Sequence, residues 1–157
     1  MAENGNAACY FVDCHIEERR SDKPAFIESG SDGRSLTYGE LAEKSGQMAE
    51  FYQGLGIARE DRVAMITLDT VDYPVLFWGS LKAGVIPILI NTLLSSDGYK
   101  FILEDSRAKV LFISAPLLEL VQGFLGDLPF LEHVFIVNGE AGEHAGFDCM
   151  GSDLDGI

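Results

Sequence analysis

Apolar residues gather in short unbroken runs along this chain, separated by longer stretches that carry a single apolar stripe. The runs are Arg62 to Leu68, Val85 to Ile90, Lys109 to Ser114 and His133 to Val137. Continuous rather than alternating apolar character marks strands covered on both faces. Between the runs lie helical patterns: Asp72 to Ala83, a segment from Ser95 or Ser96 to about Asp105, and Leu117 to Leu125. Strands separated by helices imply βαβ crossovers and a parallel sheet. The fold class expected is α/β: three layers, a mostly parallel sheet with helices on both faces, preceded by a short helix and a β-hairpin.

Local signals set the element ends. Thr37 precedes Glu40 by three residues, the spacing of a capping box. The apolar stripe Leu41, Ala42, Met48, Ala49, Tyr52 and Leu55 follows it, and Gly54-Leu55-Gly56 offers a left-handed stop. Pro74 falls in a first helical turn, where its missing N–H costs little. Lys82 suits the negative end of the same helix, and Gly84 ends it. Ahead of these elements, Ala7 to Glu18 reads as a short helix. Pro24 to Ile27 and Arg34 to Thr37 flank the turn-forming run Ser29 to Gly33 and read as a hairpin. After Val137 the pattern fades into a Gly- and acid-rich tail in which no helix or strand is expected, and mobility is. The expected organisation is therefore 1–36 as helix and hairpin, 37–138 as an α/β subdomain, and 139–157 as a flexible tail.

Composition changes the picture mainly through charge. The 157 residues carry 11 Lys and Arg against 25 Asp and Glu, a net charge of −14. That field repels the phosphates of nucleic acid and the headgroups of anionic lipid, so neither nucleic acid nor a membrane is an expected partner. No apolar run is long enough to cross a bilayer. The first residues hold no basic region followed by an apolar stretch, so no signal peptide is expected and the cytoplasm is the default location. Cys9, Cys14 and Cys149 are odd in number. On one helix Cys9 and Cys14 would have Cα atoms roughly 8.7 Å apart, beyond disulfide reach. Reduced thiols are the consistent reading.

Candidate chemistry is sparse. Open parallel sheets bind ligands at the carboxyl ends of their strands, and the polar residues there are Asp69-Thr70, Asn91-Thr92, Ser114 and Asn138. Asp69 is read first as a helix-capping residue and second as a metal or phosphoryl acceptor. No phosphate loop or dinucleotide fingerprint is present, and Gly54-x-Gly56 closes a helix instead of opening one. Cys9, Cys14, His15, His133, His144 and Cys149 lack the spacing of a structural zinc site. No nucleophile elbow surrounds any serine. Phe77 and Trp78 sit at helical spacing from Pro74 and Leu81 and read as packing. The residues alone assign no catalytic, cofactor-binding or metal site.

Two segments carry a resemblance. Leu36-Thr37-Tyr38-Gly39-Glu40-Leu41 resembles the first core motif of adenylate-forming enzymes, and Leu81-Lys82-Ala83-Gly84-Val85-Ile86-Pro87 resembles the second, with the proline shifted. They occur in the order and at the separation found in that superfamily. Asn6-Ala7-Ala8, Tyr10-Phe11-Val12-Asp13, Asp22 to Ile27, Asn91-Thr92-Leu93-Leu94 and Leu103 to Ala108 further resemble the benzoate and hydroxybenzoate–CoA ligase branch. The resemblance spans about residues 6 to 138.

It implies an AMP-forming aryl-acid–CoA ligase. In that reaction a carboxylate attacks ATP to give an acyl-adenylate, and CoA then displaces AMP. ATP, Mg²⁺ and CoA are the implied cofactors and co-substrates, and a small aryl acid the substrate. The family's phosphate loop, aryl pocket, adenine motifs and catalytic lysine have no counterpart in these residues. Some relatives place a basic residue near CoA phosphates just after the second motif; Asn91 to Leu94 provides none. The expectation is a scaffold segment that is inactive and cofactor-free alone, prone to self-association through apolar surface. The alternative is a stand-alone interaction module.

Overall fold

The computed structural model of the protein describes residues 5–30, 33–138 and 148–150. These form two compact units that interleave along the chain. The described residues up to Glu60 and Asp69–Val85 make one; Asp61–Leu68 and the described residues from Ile86 onward make the other.

The first unit is helical with a hairpin. A wide-turned helical stretch Cys9–Asp13 runs into α1 (Cys14–Glu17). β1 (Pro24–Ile27) and β2 (Ser35–Thr37) pair antiparallel, as their flanking turn formers predict. α2 (Tyr38–Gly54) begins at Thr37, whose hydroxyl accepts the Glu40 N–H while the Glu40 carboxylate accepts the Thr37 N–H. The capping box is therefore complete, with two orphan donors of the first turn satisfied. Helix α2 buries Leu41, Ser45, Met48 and Tyr52, one stripe at spacings of four, three and four. α3 (Asp72–Ala83) has the bounds its pattern predicts and ends on Gly84 at φ 75°.

Helices α2 and α3 meet at small residues. A Cβ on Gly79 would lie 2.5 Å from the Met48 Cβ, so only glycine admits this approach. Beside it the Tyr52 and Ser80 hydroxyls lie 2.9 Å apart, both buried. Ser80 directs its own proton to the Leu76 carbonyl at 2.8 Å, so Tyr52 is the donor to Ser80. Burial pushes the Tyr52 phenol far above its ordinary pKa. Lys82 reaches the Ala42 carbonyl at 3.0 Å and the Asp13 carboxylate at 2.8 Å, tying α3 to α2 and to the first helical stretch.

The second unit is a parallel sheet. Its strands are β3 (Arg62–Ile66), β4 (Ile86–Leu89), β5 (Val110–Ser114), β6 (His133–Val137) and β7 (Asp148–Met150), in the order β4-β3-β5-β6-β7. Every pairing is parallel. Helix α4 (Ser96–Ser106) connects β4 to β5; the Ser95 hydroxyl accepts the Gly98 N–H at its start. Arg107 ends α4 in the left-handed region and holds its guanidinium 5.3 Å from the Phe130 ring centre. Ala64, Ile66, Leu111, Ile113 and Ile136 pack one core with Tyr99 and Leu103 of α4 and with Leu118, Val121 and Leu128. The alternate positions Val63, Met65 and Phe112 are equally buried, which is why these strands read as unbroken apolar runs.

β4 is an edge strand. The N–H groups of Ile86 and Ile90 donate to Asp61 and Met65 carbonyls, so the intervening position Pro87 faces the open side. A proline there removes a donor from the edge and blunts it against further pairing.

Two expectations are corrected. Leu117 to Leu125 is not an α-helix: 3₁₀ turns at Ala115–Leu120 and Leu125–Asp127 replace it. Pro116 starts the segment, and Gly123 and Gly126 weaken helix propagation across it. Within the tail, Asp148–Met150 forms a strand on β6, where no element was expected. The partner is the backbone of Phe135 to Val137, which no pattern inside the tail could announce. His144 and the rest of the tail lie outside the described residues.

Candidate functional site

Strand order locates where a parallel sheet of this kind receives ligands. The chain adds β4 on one side of β3 and then β5 on the other, so the order reverses between β3 and β5. Ligand crevices in open α/β sheets form at such reversals, beyond the carboxyl ends of the strands. Here that position is bridged by the chain itself. Ser114, at the end of β5, is buried, and its hydroxyl accepts the Leu68 N–H at 3.0 Å. The buried Thr67 hydroxyl has no hydrogen-bond partner among the described residues. At the end of β4, the side-chain amide oxygen of Asn91 accepts the Leu93 N–H at 2.9 Å, a local turn that presents Leu93 to solvent. Asn138, after β6, takes a left-handed conformation that asparagine tolerates. Of the residues named from the sequence, Ser114, Asn91 and Asn138 thus have structural duties.

Asp69 does not cap α3. The residue before the helix is Val71, which has no side-chain cap, and Asp69 stays exposed. The cap comes from a distance: the Glu28 carboxylate, just past β1, accepts the Val71 N–H at 2.8 Å. Glu28 also takes the Arg34 guanidinium at 2.9 and 3.1 Å and the Arg34 N–H at 3.1 Å. Arg34 reaches onward to the buried Asp72 carboxylate at 2.7 Å, which further accepts the Thr70 hydroxyl at 3.0 Å. The Val71 N–H above all, then Arg34, holds the Glu28 carboxyl below its usual range. This network of Glu28, Arg34, Thr70 and Asp72 was missed in the sequence. Its hydrogen bonds span up to 43 positions, from Glu28 to Val71, and each member alone resembles an ordinary polar surface residue. The acid at the first turn of a predicted helix, Asp72, was the one available signal.

Beside the network lies a cleft of about 230 Å³ walled by Phe26, Ile27, Tyr73 and Pro74, with Glu28 and Asp69 at its polar side. Burial, and then the Asp69 charge, raise the Tyr73 phenol above its ordinary pKa.

Among the metal candidates, Cys14, His15 and His133 have local partners. The Cys14 thiol donates to the Tyr10 carbonyl, and the His15 ring packs on Tyr38 with centroids 3.8 Å apart. Burial, then Arg20 and Lys23, lower the His15 pKa, so the ring favours its neutral form. His133 opens β6 and stacks on Phe135. Among the described residues no three His, Cys, Asp or Glu side chains converge as a metal site, and no helix is long and apolar enough to cross a membrane.

Comparison with known proteins settles the family. The model of the AMP-binding enzymes matches residues 14–147. The chain belongs to the AMP-binding enzyme family. A 4-hydroxybenzoate–CoA/benzoate–CoA ligase of Rhodopseudomonas palustris is 42% identical over 84% of this chain and 24% of its own length. A benzoate–CoA ligase of Thauera aromatica is 39% identical over 91% of this chain and 27% of its own. The crystal structure of a benzoate CoA ligase from Burkholderia xenovorans LB400 superposes with a TM-score of 0.74 at 35% identity, covering 83% of this chain and 25% of that one. The fold is thus the α/β fold of these ligases. The chain spans about a quarter of the length of the curated relatives it matches. In this chain the first of the two motifs supplies the capping box of α2, and the second ends α3 at Gly84. Both act here on backbone ends, with no ligand required to explain them.

Proposed function

We propose that this chain is the N-terminal scaffold portion of an ATP-dependent benzoate (aryl acid)–CoA ligase, a cytoplasmic enzyme of aromatic-acid degradation. The whole enzyme forms an acyl-adenylate from the aryl acid and ATP–Mg²⁺, then transfers the acyl group to CoA. Residues 37–138 are the supporting α/β subdomain; no residue of this segment acts in catalysis, holds a cofactor or binds a metal. The observation that carries the reading is the pair of benzoate–CoA ligase relatives at 42% and 39% identity. The Ser114–Leu68 bond supports the scaffold role, because it joins the strand ends where a ligand would otherwise enter.

Two experiments test this. Joining the chain to the remaining three-quarters of the Rhodopseudomonas palustris ligase should give a protein that releases AMP in the presence of benzoate, ATP–Mg²⁺ and CoA. A folded but inert hybrid counts against the ligase assignment. The isolated chain, titrated calorimetrically with ATP–Mg²⁺, benzoate and CoA, should give no saturable heat and no AMP. Turnover by the chain alone would refute the scaffold role.

The second reading is a stand-alone interaction module. Exposed apolar side chains favour it: Leu93 is 90% exposed, Ile27 72%, Tyr10 69% and Phe101 68%. Such surface promotes association. Sedimentation of the purified chain should reveal concentration-dependent self-association, and a monomer at all concentrations would exclude that mode.

A further inference from the structure

The cleft at the start of α3 has a chemical bias that the ligase assignment does not use. A helix N-terminus ordinarily draws anions, through its free N–H groups and the dipole. Here the chain has already supplied that anion, since Glu28 accepts the Val71 N–H. The neighbouring cation is occupied as well, because Arg34 bridges Glu28 and Asp72. An anionic ligand entering the cleft would find the Asp69 carboxylate and no uncommitted cationic partner.

Asp69 itself is exposed and has no hydrogen bond or ion pair among the described residues. The walls it borders are Phe26, Ile27, Tyr73 and Pro74. The Tyr73 phenol stays protonated well into alkaline conditions because of burial and the Asp69 charge. Its ring therefore keeps a neutral, electron-rich face, which attracts cations. A net charge of −14 raises the local concentration of cations over the whole surface. A bare metal ion would gain little from one exposed carboxylate and apolar walls, since hard cations need several oxygen ligands. An organic ammonium ion satisfies both halves of the site, with its apolar body against the walls and its charge toward Asp69.

We propose that the Phe26–Tyr73–Asp69 cleft binds a small aromatic ammonium ion, with Asp69 as counter-ion and the Phe26 and Tyr73 rings as walls. The cleft's volume of about 230 Å³ suits a ligand of one ring and a compact cationic head. The charge contact is solvent-exposed, which limits its share of the affinity to about fivefold.

Benzyltrimethylammonium chloride is the probe, titrated into ¹⁵N-labelled chain at constant ionic strength and followed by amide shifts. The expected result is saturable shifts confined to Phe26–Glu28 and Asp69–Tyr73. Asp69→Asn, at an exposed side chain, should weaken binding about fivefold with the remaining spectrum unchanged. Tyr73→Leu should weaken it about two- to fivefold by removing the ring face. Benzyl alcohol and benzoate, of similar size, should bind more weakly than the ammonium ion. Absence of saturable shifts, equal binding of benzyl alcohol or benzoate, or unchanged affinity in Asp69→Asn overturns the proposal. Should Tyr73→Leu fail to fold, Asp69→Asn and the two neutral and anionic controls decide it. Ligase activity enters none of these readouts, so the result is independent of the function proposed above.

Discussion

The two units of this chain are held together by different means. In the unit of α2, α3 and the hairpin, polar side chains join segments far apart in sequence: Glu28 to Val71, Arg34 to Asp72, Tyr52 to Ser80 and Lys82 to Asp13. In the sheet unit the ladder and an apolar core dominate, and the long-range side-chain bonds among the described residues include Ser114 to Leu68 and Lys109 to Asp61 and Glu132. The contrast follows from what each type of element leaves unpaired. A strand inside a sheet satisfies its backbone through its neighbours and needs only apolar side chains. A helix leaves donors at its first turn, and a hairpin on a helix end must satisfy them with side chains. Stability in the sheet unit should therefore respond most to lost volume, and in the helical unit to lost charge pairing and to close-contact geometry.

The largest expected effect lies in the sheet. Leu111→Ala empties a fully buried site in the sheet core and should cost about 3–5 kcal/mol in urea denaturation. A cost under about 1 kcal/mol would mean that core is poorly packed, and the contrast would weaken.

Arg34→Met comes next, at about 3 kcal/mol, because it leaves the Asp72 carboxylate buried with, among the described residues, only the Thr70 hydroxyl as a side-chain partner. The partial exposure of Arg34 keeps the loss at the low end of the range for buried pairs. Adding Asp72→Asn should recover part of the loss; if it does not, the pairing between those two charges is not what stabilises the hairpin against α3.

Gly79→Ala should cost about 2 kcal/mol, since the new methyl meets Met48 at under van der Waals distance. In a Met48→Gly background, which lacks the Met48 Cβ and Cγ that the new methyl would meet, Gly79→Ala should cost less than in the native chain, which separates close approach from any loss of backbone freedom. Hydrogen exchange should place the weakened amides in α2 and α3.

The smallest effect is a pH dependence. The Glu28 carboxyl is depressed in the folded state, so the unfolded chain takes up its proton first as the pH falls. The contribution of Glu28 is thus complete above the ordinary carboxylate value and is lost as pH drops through the lower folded value. Glu28→Gln should flatten the acid limb of the stability curve relative to the native chain; superimposable limbs would remove Glu28 from the network.

Much of the fold was legible from local pattern. Asp72–Ala83 and His133–Val137 occupy the bounds expected for them, and Thr37 with Glu40 opens α2. These features depend on residues a few positions apart, where periodicity, caps and glycine stops act directly. The expected helix over Leu117 to Leu125 failed for a local reason too, since its apolar content outweighed Pro116 and two glycines in the reading. The site was far less legible. Asp69 sits at a strand end beside a helix start, where capping is the usual duty, yet Glu28 reaches Val71 first.

The sequence alone thus determined the βα order, most element ends, the acidic surface and, through its two motifs, the family. Tertiary structure decided what each polar group near a strand end does. It set Glu28 on a helix 43 residues away, turned Ser114 inward to Leu68, left Asp69 unpaired at an apolar cleft, and added Asp148–Met150 to β6. The physical reason is range. Helix and strand propensities are sums over near neighbours, whereas a charge is satisfied by whichever donor the fold brings within about 3 Å, and sequence spacing carries no record of that distance.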